Sequence, residues 1–136
     1  MIVLGDVQEA PGSTGPIYRH IGGRVAKITS KAFFISGSKK HIQDYVTGTK
    51  RGGLALGSMV KVHGNVLKVV EILQEDLRLG DVILIKGRGN QRLSRIGLAL
   101  IGKTVRCNIS SCSIRSLRCE DCPMLGRGWN GLRVVM

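Results

Sequence analysis

Aromatic side chains are scarce in this 136-residue chain, with two Phe, two Tyr and one Trp. So few rings cannot build a nucleic-acid surface on stacked bases, and a nucleic-acid partner would have to be held through its phosphates. Acids are scarce as well. Nine Asp and Glu stand against 21 Lys and Arg, a formal charge of +12. That balance argues against cationic partners and points to polyanions. No apolar run reaches the roughly 18 residues that a membrane span needs, so no membrane partner is expected. The opening Met1 to Asp6 has neither the Arg- and Ser-rich character of a transit peptide nor the apolar core of a secretory signal. The expectation is a chain that stays where it is made, or one whose leader has already been removed.

What the chain does have is glycine, 19 residues or about twice the usual share, which favours turns and short strands over long helices. Its length suggests one domain, large enough to bury its own core. The basic residues are clustered. The segment Arg19 to Arg51 carries eight Lys and Arg against the single acid Asp44, and Lys86 to Arg106 carries six with none. Acids gather instead in Asp6 to Glu9 and Glu71 to Asp81, where they look like surface balance for the positive loops.

Residues 1–22 read as an extended arm, punctuated by Pro11-Gly12, Gly15-Pro16 and Gly22-Gly23. Short β-like runs follow at Arg24 to Thr29 and Ala32 to Ser36, then a long basic loop from Gly37 to Gly57. Ser58 to His63, Val66 to Leu73, Val82 to Lys86 and Leu98 to Val105 read as further strands. The expected fold is therefore all-β: a small five-stranded barrel over residues 23–105, with an N-terminal arm and a cysteine-rich basic extension at 106–136.

The order of these features resembles the seventeenth small-subunit ribosomal protein family, whose members are barrels of the oligonucleotide-binding type. The resemblance covers roughly Gly22 to Val105. It rests on Gly23 to Ala32 before Phe33 to Ile35, His41 to Tyr45 leading to Thr49 to Arg51, the Lys61-Val-His63 strand, Gly80 to Ile85, and the Gln91 to Arg95 loop before Leu98 to Ile101. It departs from the family at Ala32, where Thr is expected, and in the missing Pro before Leu93. The resemblance implies a structural rRNA-binding protein of the small ribosomal subunit, beside neighbouring ribosomal proteins and with no small-molecule substrate. Divergence with added ends is similar to organellar members, which implies a mitochondrial ribosome, with the cytoplasmic ribosome as the alternative. The RNA contacts it implies are Lys31, Lys39, Lys40, His41, Lys50, Arg51, Lys61, His63, Arg88, Arg92, Ser94 and Arg95. Among these, arginine grips phosphate with paired hydrogen bonds while lysine acts as a point charge.

Catalysis is not expected, because His41 and His63 lack an assignable nucleophile and a His beside Lys residues is more often a surface group than a base. The last third carries Cys107, Cys112, Cys119 and Cys122, spaced Cys-x4-Cys-x6-Cys-x2-Cys. Four thiolates complete a tetrahedral zinc shell, and Cys119-Glu-Asp-Cys122 has the short knuckle such sites use. An iron-sulfur cluster is the alternative ligand, and unligated thiols or disulfides remain open. A metal would stabilise a tail whose sizeable apolar residues are only Ile109, Ile114, Leu117, Met124, Leu125 and Trp129. Two further functions compete with the ribosomal one: a free-standing barrel for single-stranded nucleic acid, and a cysteine-based redox or cluster protein using Cys119 and Cys122.

Overall fold

A computed structural model describes residues 1–8 and 11–128. Among the described residues it is mixed α/β, with four helices and one four-stranded parallel sheet. The strands are β1 (Ile2–Leu4), β2 (Ala32–Ser36), β3 (Met59–His63) and β4 (Leu84–Lys86), and the helices α1 (Thr14–Val25), α2 (Lys39–Arg51), α3 (Val66–Asp76) and α4 (Ser94–Leu100). Strands and helices alternate along the chain, as parallel crossovers require. The spatial order is β3-β2-β1-β4, so the chain winds from β1 outward to β3 and then returns to the other side of β1 for β4.

The registers put Val3 beside Phe33 and Ile85, and Phe33 beside Val60. Because successive strand residues face opposite ways, β1, β2 and β3 feed two cores. Ile2, Leu4, Ala32 and Phe34 pack against Tyr18 and Val25 of α1 and Ile42, Tyr45 and Val46 of α2. Val3, Phe33, Ile35 and Val62 pack on the other face against Val66, Val69, Val70 and Leu73 of α3 and Ile96 of α4. Phe33 and Phe34 are both fully buried, each stabilising the fold by about 2–3 kcal/mol.

The five-stranded barrel is thus corrected to a two-faced parallel sheet, and each difference has a local cause. Residues 1–22 are not an arm: Ile2–Leu4 is an inner strand and most of α1 follows. The expected strand at Arg24 to Thr29 is instead the end of α1 and its turn, closed by the Ala26 N–H on the Gly22 carbonyl. The expected loop Gly37 to Gly57 contains α2, capped by Ser38, whose hydroxyl accepts from the His41 N–H. Val66 to Leu73 is helical despite its β-branched residues. Its buried positions 66, 69, 70 and 73 follow the helical period, and Asn65 caps it by accepting from the Lys68 N–H. Leu98 to Val105 holds the last turn of α4 and irregular chain rather than a strand. The strands expected at Ala32 to Ser36, Ser58 to His63 and Val82 to Lys86 coincide with or overlap β2, β3 and β4.

Helices α1 and α2 cross where glycines let their backbones touch. A Cβ at Gly48 would collide with the Arg19 carbonyl, and one at Gly22 with the Tyr45 carbonyl. Across the same contact the Asp44 carboxylate, largely buried, accepts from Arg19 at 2.6 Å and from Lys40 at 2.8 Å. The Lys40 hydrogen bond, then that from Arg19, holds the Asp44 carboxyl below its ordinary value against the opposing effect of burial.

Two outcomes are expected here. Gly48→Ala forces backbone against backbone, so it should lower the unfolding free energy by about 3 kcal/mol in urea titration. Asp44 has a folded-state pKa below its unfolded value, so its contribution is fully present above about pH 4 and is lost as pH falls through the folded pKa. The stability gap between wild type and Asp44→Asn should therefore be widest near neutrality and close on acidification, as thermal melts across pH will read.

Candidate phosphate-ligand cleft at the carboxyl edge of the sheet

The carboxyl ends of the four strands carry the loops beginning at Gly5, Gly37, Gly64 and Gly87. Strand order reverses between β1 and β4, and in open parallel sheets the crevice at such a reversal is where ligands bind. Here the floor of that crevice is closed by one side chain. Gln91 is buried, and its Oε1 accepts from the Asp6 N–H at 2.6 Å and the Arg88 N–H at 3.2 Å, while its Nε2 donates to the Ile35 carbonyl at 3.3 Å. One amide thereby joins the ends of β1, β2 and β4. Room for it exists because the neighbouring loop residues are Gly5 and Gly87; a Cβ at either would collide with the Gln91 or Leu93 side chain.

Beside the amide, Asp6 collects a second network. Its Oδ1 accepts from the Ser36 hydroxyl at 2.6 Å and the Tyr18 hydroxyl at 3.3 Å, and His41 Nδ1 lies 3.0 Å away. A carboxylate can only accept, so Nδ1 carries the proton and Nε2 is left for another partner. The His41 ring stacks on Tyr18 at 4.3 Å between centroids. Tyr18 also accepts from the Val7 N–H, and burial, with further contributions from Asp6, raises its pKa while Val7 and the Arg88 charge oppose the rise. Tyr45 donates to the Gly5 carbonyl at 2.6 Å, and burial pushes its hydroxyl far above the ordinary value. Ser36 both donates to Asp6 and accepts from the Ser38 N–H, so its hydroxyl is committed. These bonds fix the rim in shape. Within this network the half-buried His41 keeps Nε2 without a partner among the described residues.

On the same edge opens a cleft of about 700 Å³, lined by Gln8, Arg88 to Asn90, Arg92 and the tail segment Ser111 to Arg115. Three of its walls are arginines, and none of its described lining residues is acidic. Arg92 adopts a left-handed backbone, φ 52°, which costs a non-glycine residue about 1 kcal/mol or more. The strain is held by its guanidinium, which donates to the Ile114 carbonyl. Cys112 is tied to the same loop through its N–H to the Asn90 carbonyl at 2.7 Å, so the tail forms one wall of the cleft.

The residues expected from sequence divide into groups. Arg88 and Arg92 line the cleft; Lys39, Lys40 and His41 open α2 on the same edge, and His63 ends β3 there with its Nε2 2.9 Å from the Gly37 carbonyl. Lys50, Arg51 and Lys61 instead share a separate open cleft of about 660 Å³ on the α2–β3 flank. Lys31 is half-buried and paired with Asp76, Ser94 is exposed at the start of α4, and Arg95 is 1% exposed and offers no surface to a phosphate. Cys107, Cys112, Cys119 and Cys122 all line one small cavity, and Trp129 lies outside the described residues. Among the described residues no three His, Cys, Asp or Glu side chains stand at metal-holding distances.

No family model matches this chain, and neither a curated protein nor a solved structure matches it. The site therefore rests on its own geometry. Sequence reading missed Asp6 and Gln91. Asp6 had a signal, since an acid following an apolar triplet and a glycine marks the end of a buried strand. Gln91 had none, because its role depends on β1, β2 and β4 converging.

Replacing Gln91 by Ala leaves the Asp6 and Arg88 N–H groups without their acceptor and opens a void among the ends of β1, β2 and β4. Its unfolding free energy is expected to fall by about 2 kcal/mol in denaturant titration.

Proposed function

We propose that this chain binds a phosphorylated ligand of nucleotide size in the arginine cleft at the carboxyl edge of its sheet. The observation that carries this reading is the coincidence of three features in one place: the strand-order reversal, a cleft of about 700 Å³, and a lining of Arg88, Arg92 and Arg115 with no described carboxylate. That volume falls within the range of small-molecule sites. Gln8, Asn90, Ser111 and Ser113 add neutral hydrogen-bonding groups for the rest of such a ligand. His41, held by Asp6 and stacked on Tyr18, offers its Nε2 on the same edge.

A second reading, an RNA partner, is favoured by one separate observation. Lys50, Arg51 and Lys61 line the flank cleft, and none of the three has an ion-pair partner among the described residues. The barrel geometry implied by the ribosomal resemblance no longer supports this reading; the unmatched charge does. On it, the backbone of a longer polyanion is held by charge and little sequence is read.

Calorimetric titration of the full chain with ATP, ADP and pyrophosphate separates the two. Saturable nucleotide binding that drops about tenfold or more in Arg88→Glu and Arg115→Glu, and stays intact in Lys50→Glu with Lys61→Glu, is the expected result. Absence of nucleotide binding, together with salt-sensitive binding of single-stranded RNA that is lost in the Lys50 and Lys61 variants, would replace the first reading with the second.

A further inference from the structure

Arg95 is a buried cation without an ion-pair partner among the described residues. Its Nε donates to the Arg92 carbonyl at 3.0 Å, Nη1 to the Cys107 carbonyl at 2.8 Å, and Nη2 to the carbonyls of Gln91 and Ile109, each at 2.8 Å. Those acceptors satisfy its hydrogen bonds but not its charge. Among the described residues no carboxylate stands at ion-pair distance from it. A guanidinium does not discharge by losing its proton, and an uncompensated buried ion is costly. The group beside it that can carry negative charge is Cys107 Sγ, 3.6 Å from Nη1.

That sulfur belongs to a convergent set. Cys107, Cys112, Cys119 and Cys122 are all free thiols, and with Arg92, Arg95, Ile109 and Leu125 they line a single cavity of about 20 Å³. Cys107 and the Cys119–Cys122 knuckle lie apart in sequence, yet the backbone folds to join them. The N–H groups of Arg106 and Cys107 both donate to the Leu125 carbonyl, Cys112 is tied to Asn90, and the Cys122 N–H closes a turn on the Cys119 carbonyl. A space this small takes about one water-sized sphere, the scale of a single ion. Two disulfides would be neutral and would leave Arg95 unbalanced.

We propose that these four cysteines hold one zinc ion as a tetrathiolate, with Arg95 as the buried cation that partly balances it. A zinc ion with four thiolates carries two negative charges, and Arg95 beside Cys107 offsets one of them. Binding draws the four sulfurs inward and releases their protons to solvent. Arg95 is thus a positioning residue, linking α4 to the metal centre through Cys107.

The test is elemental analysis of the purified full chain, followed by replacement of the bound metal with cobalt under reducing conditions. One zinc per chain and the absorption of tetrahedral cobalt bound by four thiolates are expected. Cys122→Ser should shift that spectrum to a three-thiolate form and weaken cobalt binding at least tenfold. Arg95→Lys, which keeps the charge but loses the fork, should weaken it about tenfold while leaving the four-thiolate spectrum unchanged. A chain without stoichiometric metal, stoichiometric iron in place of zinc, disulfides in the freshly isolated protein, or a cobalt spectrum indifferent to Cys122→Ser would each overturn the assignment. Should the Arg95 variant fail to fold, the wild-type stoichiometry and the Cys122 spectrum still decide it.

Discussion

Gln91 and Arg95, one turn apart and both buried, are the polar pair on which the functional end of the molecule depends. A parallel sheet leaves the loops at its carboxyl edge without partners from the ladder, and a switch point leaves a gap between two of them. Gln91 closes that gap by bonding to backbone from the ends of β1, β2 and β4. Arg95 accepts the next task, donating to the Gln91 carbonyl and to the carbonyls of Cys107 and Ile109 in the tail. Buried polar groups of this kind are costly when half satisfied and rigid when fully satisfied. No buried side-chain nitrogen or oxygen among the described residues lacks a partner, so the rigid case applies.

The same economy decides where the excess charge falls. Asp44 is taken by Arg19 and Lys40, Asp76 by Lys31, Glu71 by Lys68, and Glu120 and Asp121 by Arg118. Asp6 is enclosed by Ser36, Tyr18 and His41. With most acids committed to structure, unmatched cations line the arginine cleft and the α2–β3 flank, while others, among them Arg24, Lys27, Lys86 and Lys103, stand exposed elsewhere on the surface. The net charge of +12 thus includes two clefts where cations converge.

Much of this was legible in the chain, and the parts that were not have physical causes. The buried strands were visible where apolar runs are long, as at Ala32 to Ser36. Helix α3 was read as a strand because of its valines, although positions 66, 69, 70 and 73 repeat at helical spacing. Helices α1 and α2 were hidden by their glycines. Gly15, Gly22 and Gly48 look like turn residues in sequence, whereas Gly22 and Gly48 serve the close crossing of two helices, a tertiary demand that local propensity does not encode. The basic clusters were visible in sequence, but Lys39, Lys40, Lys50 and Arg51 lie on α2 rather than in a loop, and burial of Arg95 was not foreseen, because an arginine has the same sequence signature whether it faces solvent or a ring of carbonyls. The four cysteines line one cavity, and the buried Arg95 beside Cys107 is a neighbour that spacing alone does not reveal.

The most direct test of the ligand site is residue-resolved mapping: amide chemical shifts of the isotope-labelled full chain, followed as ATP is added. Saturable shifts concentrated at Gln8, Arg88 to Arg92 and Ser111 to Arg115 are the expected result. Shifts confined to Lys50, Arg51 and Lys61, or no saturable shifts at all, would contradict the arginine cleft as the binding site.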